Sequence, residues 1–256
     1  MQPTNLEVSG NSTVKTRKLK DTIGLLRAFT LEQKDPDSFY GLLAKDGVSM
    51  LKRYIDLKDK TVIDVGGGAG YFTAAFLSSG AKCVAIEPFE EELLWRGIPK
   101  FPAIVGDGYK LPIRSSSIDI AFSSNVLEHV EKPWEFMDEQ LRVVKPGGLV
   151  FACFTNWYSP WGGHETSPWH LLSGKRALER YENKYQKRVK NRIGESLFPI
   201  HINSAMDYLN KKQVSGDIRV LNVAPRYYPD WARFIVKVQG LREVMTWNLA
   251  MIIQKK

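Results

Sequence analysis

Thr61-Val62-Ile63-Asp64-Val65-Gly66-Gly67-Gly68-Ala69-Gly70 decides the fold: an apolar run passes through a single acid and breaks into alternating glycines. The run has the composition of a strand, and glycines at 66, 68 and 70 let the backbone take positive φ and come close to a ligand. Tyr71 to Leu77, which follows, can open a helix whose free N–H groups face that ligand. A nucleotide-type cofactor site is expected here. Ala81 to Ile86 reads as the next strand and ends in Glu87, about 20 residues beyond the first glycine, where doubly wound folds set an acid against ribose hydroxyls.

A dinucleotide fingerprint, Gly-x-Gly-x-x-Gly, fails in both registers, because Tyr71 or Thr73 stands where its last glycine belongs. What remains is Asp64, Gly66, Gly68, Gly70 and Glu87. Further along come Gly106-Asp107-Gly108, Leu111-Pro112 and Ser117-Ile118-Asp119-Ile120, then Ser124-Asn125-Val126-Leu127-Glu128-His129-Val130, then Leu141-Arg142-Val143-Val144-Lys145-Pro146-Gly147-Gly148. In this ordered series the chain resembles the small-molecule branch of class I S-adenosylmethionine-dependent methyltransferases, closely over residues 38 to 155 and more loosely beyond. Through Phe39-Tyr40, Gly162-Gly163-His164-Glu165 and Pro225-Arg226-Tyr227 it is similar to envelope-linked methyltransferases of mycolate-bearing actinobacteria.

From Lys60 the pattern alternates strands (near 61 to 65, 82 to 86, 102 to 105, 118 to 123 and 149 to 154) with helices (near 70 to 79, 90 to 96 and 133 to 144), which argues a parallel sheet covered on both faces. Two more strands are expected near 217 to 223 and 247 to 254. The resemblance implies an α/β, Rossmann-like, doubly wound sheet of seven strands whose last strand is antiparallel. It also implies that residues 156 to 213, after the fifth strand, form a substrate lid. Residues 1 to 13 read as a flexible tail, and 14 to 256 as a single domain. Amphipathic spacing predicts a helix over 14 to 33, and a second follows Asp35-Pro36 to about Ile55; together they would cap the pocket.

With 256 residues, 43% hydrophobic and 25% charged, the chain can bury a sizeable core and has ordinary globular composition. Met1 to Thr13 lacks the apolar centre of a signal peptide, and no run reaches the ~18 apolar residues that cross a bilayer, so a cytoplasmic protein is expected. Cys83 and Cys153 both fall in predicted strands and read as small core residues, and no cysteine cluster offers a metal site. The net charge of +8 concentrates between residues 175 and 192, where eight Lys or Arg face only Glu179 and Glu182. That is either a solvated helix face or a surface for anionic partners, including lipid head groups on the inner face of the plasma membrane. Trp231, Phe234, Ile235, Val238, Leu241 and Met245 recur at helical spacing among Arg233, Lys237 and Arg242, as a packed helix or as one lying at a membrane interface.

By the resemblance, Gly66, Gly68 and Gly70 approach the amino-acid end of S-adenosylmethionine, Glu87 takes the ribose, and Asp107 with Gly108 takes the adenine amino group. Asp64 orders the loop and Asn125 faces the cofactor from the end of the fourth strand. An Asx turn is the other reading of Asp107.

Methyl transfer from a sulfonium is an in-line displacement, so positioning carries much of the catalysis and a base is needed only for an un-ionised acceptor such as an alcohol. His164 and Glu165, in the glycine-rich and aromatic opening of the insertion, lead as base or substrate orienter, with His129 as the third candidate. Glu128-His129 is similar to the Glu-His pair of quinone-pathway O-methyltransferases, some of which bind a divalent cation through a further Glu three positions earlier. Asn125 holds that position, so no metal is expected, and His129 reads equally as an internal hydrogen-bonding residue.

The expected reaction is methyl transfer to a hydroxyl or carboxyl of a small molecule, a lipid or glycolipid such as a precursor of a mycolate envelope. A non-catalytic protein that binds S-adenosylmethionine is the alternative. Nucleic acid is disfavoured as acceptor, because Val126-Leu127 follows Asn125 where amino-directed nucleic-acid methyltransferases carry Pro-Pro-Tyr.

Overall fold

The structure, a computed structural model, describes residues 17–29 and 34–256. The tail expected at 1 to 13 lies outside the described residues, as do both ends of the first predicted helix. Within them, α1 (Leu19–Ala28) and α2 (Pro36–Leu51) precede the sheet. α2 starts where its sequence says it should: the Asp35 carboxylate accepts the Ser38 N–H at 3.1 Å, and Pro36 fills the first turn.

Next come β1 (Thr61–Val65), α3 (Tyr71–Ser78), β2 (Lys82–Glu87), α4 (Glu90–Leu94), β3 (Ala103–Val105), β4 (Ile118–Ser124), α5 (Pro133–Val143) and β5 (Val144–Thr155). After the insertion with α6 (Gly174–Tyr185), the chain ends with α7 (Ile202–Val214), β6 (Ile218–Pro225), α8 (Leu241–Met245) and β7 (Asn248–Lys255). The strands form one seven-stranded sheet in the order β3-β2-β1-β4-β5-β7-β6. β7 runs antiparallel between β5 and β6, and the other pairings are parallel. The expected Rossmann-like architecture is thus present. Strand order reverses between β1 and β4, the crevice where open α/β sheets bind ligands at their carboxyl edge.

The central strands are buried on both sides, which is why their sequences read as nearly continuous apolar runs. On one face Ile63, Phe136, Leu141, Phe154, Met206 and Leu209 pack beneath α5 and α7. On the other, Val48, Leu51, Phe76, Phe122, Phe151 and Ile252 pack beneath α2 and α3, with Phe122 stacked on Phe151 at 4.6 Å. α7, read above as the end of the insertion, is therefore part of the sheet's core. α1 and α2 share a smaller cluster with Tyr227, and Phe29 at the end of α1 stacks on Trp161 of the insertion at 5.8 Å.

Two boundaries differ from expectation. β5 begins at Val144, directly after α5, because Val144 pairs with Ile118 and a bulge before the Ile120 to Leu149 pair absorbs Pro146-Gly147-Gly148. The helical spacing over 231 to 245 resolves into two short pieces, a 3-10 segment Asp230–Lys237 and α8, because Gly240 at φ 83° ends the run. Ile235 is buried there, whereas Trp231, Phe234, Val238 and Leu241 are exposed. Among the described residues, no helix is long and apolar enough to cross a membrane.

Candidate functional site

β1 delivers the chain into the glycine loop, and the loop's conformation explains its composition. Gly66 sits at φ 74°, and a Cβ there would come within 2.4 Å of the Val126 side chain, so nothing larger fits. Gly68 lies at φ 47° with no described residue within 4 Å of where its Cβ would be, which leaves one side of the loop open for a ligand. The Glu87 carboxylate at the end of β2 reaches across and accepts the Gly68 N–H at 3.0 Å and the Phe89 N–H at 3.4 Å. Burial raises its pKa.

Asp64 is buried beneath the loop and accepts a bond from Thr73 Oγ1 in α3 at 2.7 Å, so it ties strand to helix. Burial pushes its carboxyl up to about 7. Between the unfolded value near 3.8 and about 7, the folded state holds a proton that the unfolded state has lost, so stability falls as pH rises through this window. Asp64→Asn keeps an acceptor for Thr73 and removes the titration. Urea unfolding of both proteins at pH 4 and pH 7.5 should show the wild type losing up to about 4 kcal/mol relative to the variant; parallel pH profiles would contradict it.

The other sequence-derived cofactor residues divide. Asp107 is exposed and closes an Asx turn, its Oδ1 accepting the Tyr109 N–H at 2.8 Å. Gly108 is buried, and a Cβ there would strike the Phe136 ring at 2.2 Å, so it serves the packing of α5. Asn125, at φ 58°, turns its carboxamide oxygen toward Asn248 of β7, accepting from Nδ2 at 2.8 Å. That oxygen therefore faces the neighbouring strands.

The three catalytic candidates also separate. His129 and His164, 35 positions apart, meet with their Nε2 atoms 3.3 Å from each other. His129 Nδ1 lies 2.8 Å from the Ser196 carbonyl; since a carbonyl only accepts, Nδ1 carries a proton and donates it there. His164 occupies the left-handed region at φ 48°, and burial pushes its pKa down to about 4, so its ring is neutral at pH 7. Glu128 is 1% exposed; its Oε1 accepts the Thr155 N–H at 2.9 Å, while Oε2 has no hydrogen-bond partner among the described residues. Glu165 turns away, both its oxygens accepting from Asn191 Nδ2 at 3.1 and 3.2 Å.

Sequence reasoning gave Arg226 no role beyond a motif, yet its side chain is fully buried at the end of β6. Its Nη1 donates to Ser124 Oγ at 2.8 Å and to Cys153 Sγ at 2.6 Å, while Nε and Nη2 make no hydrogen bond among the described residues. Its nearest carboxylate is Asp46, at 4.0 Å. An arginine among aromatic residues just past a strand was the only available signal. Phe101, also unremarked, lays its ring against Gly70.

A family model described as a methyltransferase domain matches residues 63–152. Proteins named as uncharacterized methyltransferases in Mycobacteroides abscessus and Mycolicibacterium gilvum are 38% and 40% identical, over 93% and 92% of this chain and 95% and 94% of theirs. Among solved structures, an S-adenosylmethionine-dependent methyltransferase from Mesorhizobium loti has a TM-score of 0.55 at 16% identity, covering 82% of this chain and 97% of that one. A SAM-dependent methyltransferase from Aquifex aeolicus has a TM-score of 0.50 at 17% identity, covering 90% and 97%. At such identities the structural likeness concerns the fold.

Proposed function

The chain belongs to the methyltransferase family, and on that premise we propose that it methylates an oxygen of a small acceptor, with S-adenosylmethionine as donor and the His129 and His164 pair as the place where that oxygen is activated. The observation that carries the reading is that loop and pair share the carboxyl edge of the parallel strands: Glu87, which holds Gly68, ends β2, His129 follows the end of β4, and Val126, three residues before His129, stands against Gly66 of the loop.

The residues fit the donor. Gly68 opens onto free space, and the Glu87 carboxylate keeps lone pairs beyond the two N–H bonds it accepts. S-adenosylmethionine supplies a methyl group on a sulfonium, whose C–S electron pair returns to sulfur as the methyl leaves. Gly66, Gly68 and Gly70 would hold its amino-acid end, Glu87 its ribose hydroxyls and Asp107 its adenine amino group. A hydroxyl acceptor has to shed its proton at the imidazole pair as its lone pair forms the new C–O bond; a carboxylate needs only to be oriented.

The acceptor class we favour is a lipid or glycolipid, with a precursor of a mycolate envelope as the specific candidate, consistent with the mycobacterial relatives. Phe29, Trp161, Tyr227, Tyr228 and Trp247 form an aromatic cluster over this end of the sheet, suited to an apolar substrate. Exposed Trp231, Phe234, Leu241 and Met245, with exposed Lys175, Arg176, Lys184 and Lys187, would let the protein rest on an anionic membrane from its cytoplasmic side. Incubation with methyl-labelled S-adenosylmethionine and a polar lipid extract of a mycolate-bearing actinobacterium should release S-adenosylhomocysteine and move label into the lipid fraction. Label entering only water-soluble metabolites would sink the lipid assignment.

A further inference from the structure

Two imidazoles whose Nε2 atoms face each other at 3.3 Å share either a proton or an ion. Their spacing suits an ion: two donors each 2.0 to 2.1 Å from one tetrahedral centre stand ~3.4 Å apart. A third donor is present, since one ligand atom from each of Glu128, His129 and His164 lies within 4.8 Å of the others.

The surroundings are those of a ligand set. His129 donates its other ring N–H to the Ser196 carbonyl, the arrangement that fixes the tautomer and ring angle of metal-binding histidines. Glu128 adds an independent observation. It is 1% exposed, Thr155 takes one oxygen, and the other has no hydrogen-bond partner among the described residues. A cation between the three groups satisfies all of them. His170 stands aside, its Nε2 occupied by the Trp157 carbonyl at 2.9 Å.

We propose that Glu128, His129 and His164 bind one divalent first-row transition ion, such as Zn²⁺, Co²⁺ or Mn²⁺. Two nitrogens and one carboxylate favour these over Mg²⁺ or Ca²⁺, which take all-oxygen shells. Three protein ligands leave a coordination position open, and there the ion would hold the acceptor oxygen and make its proton acidic enough to leave to water, taking the place of the free imidazoles as the activating group. That last role rests on the proposed methyl transfer; the ion site does not. Asn125 argues against a metal in the sequence, but His164, from the insertion, supplies the donor that position lacks.

Untagged full-length protein, stripped with chelator and dialysed, is titrated calorimetrically with Zn²⁺ and followed by visible spectroscopy with Co²⁺. One ion per chain, visible Co²⁺ ligand-field bands and no competition from Mg²⁺ are expected, with affinity falling at least about 100-fold in His129→Ala and in His164→Ala. Glu128→Gln, a buried change, is read beside the Tm shift produced by S-adenosylmethionine, which a folded variant retains. No ion binding in a protein that still binds S-adenosylmethionine overturns the site and leaves the methyl-transfer reading intact. Binding that survives in both histidine variants overturns it as well, by placing the ion elsewhere. A bound ion lost in both variants upholds the site even if lipid extracts yield no turnover, in which case the acceptor assignment fails alone.

Discussion

Glu87→Ala is expected to weaken S-adenosylmethionine binding by about 100-fold, read by calorimetry on protein whose circular dichroism is unchanged. In the proposed complex the carboxylate both fixes the loop and receives the donor's ribose hydroxyls. Each charge-assisted hydrogen bond contributes about 1.5 to 3 kcal/mol, and each 1.4 kcal/mol is tenfold in affinity. Losing two such bonds reaches two orders of magnitude before any loosening of the loop is counted. The alanine also frees the Gly68 and Phe89 N–H groups, so the loop loses its tether at the glycine that faces open space. Glu87→Gln keeps one carbonyl oxygen for Gly68 but carries no charge, and should lose about tenfold. Undiminished affinity in the alanine variant would remove Glu87 from the donor site and with it the proposed use of the glycine loop.

The scaffold of this site was legible for a physical reason. A strand buried on both faces must be an apolar run, and a loop that must take positive φ at Gly66 and Gly68 has to be written in glycine, so both leave marks in the sequence. That the last strand runs antiparallel came from resemblance, since strand direction has no local signature; its place between β5 and β6 came from the structure alone. Where tertiary contacts decide, local patterns misled. Helical spacing over 231 to 245 was real, but Gly240 splits it, and Pro146-Gly147-Gly148 marked a bulge inside β5.

The insertion was least legible, because its meaning depends on how it folds back. Trp157 N–H donates to the Ile200 carbonyl and Phe198 N–H to the Glu128 carbonyl, so the return limb at 196 to 200 closes over the end of β4. That fold-back brings the Ser196 carbonyl to His129, and the turn at 164 to 166 places His164 beside it while Glu165 goes to Asn191. Two adjacent residues that looked equivalent in sequence, His164 and Glu165, thus have different partners. Arg226 follows the same logic: nothing local distinguishes a buried guanidinium from a surface one, and only the packing of Tyr227 with α1 and α2 shows that it lies inside.

His164→Ala should lower kcat by about 10² to 10⁴-fold on a hydroxyl acceptor while the S-adenosylmethionine dissociation constant stays within about threefold. The ring lies outside the glycine loop and meets His129 through its Nε2, so donor binding has little reason to change. Glu165→Gln, whose partner Asn191 accommodates an amide, should change kcat by less than about threefold. The size of the His164 effect also reads the acceptor. A carboxylate has no proton to lose, so a near-normal rate in His164→Ala would mean that the methylated oxygen is already ionised. Where the rate does fall, its dependence on added Zn²⁺ or Mn²⁺ separates the two ways an imidazole can act. A ligand's loss weakens ion binding and is overcome in part by more ion, whereas a lost proton acceptor is not restored by any concentration of it.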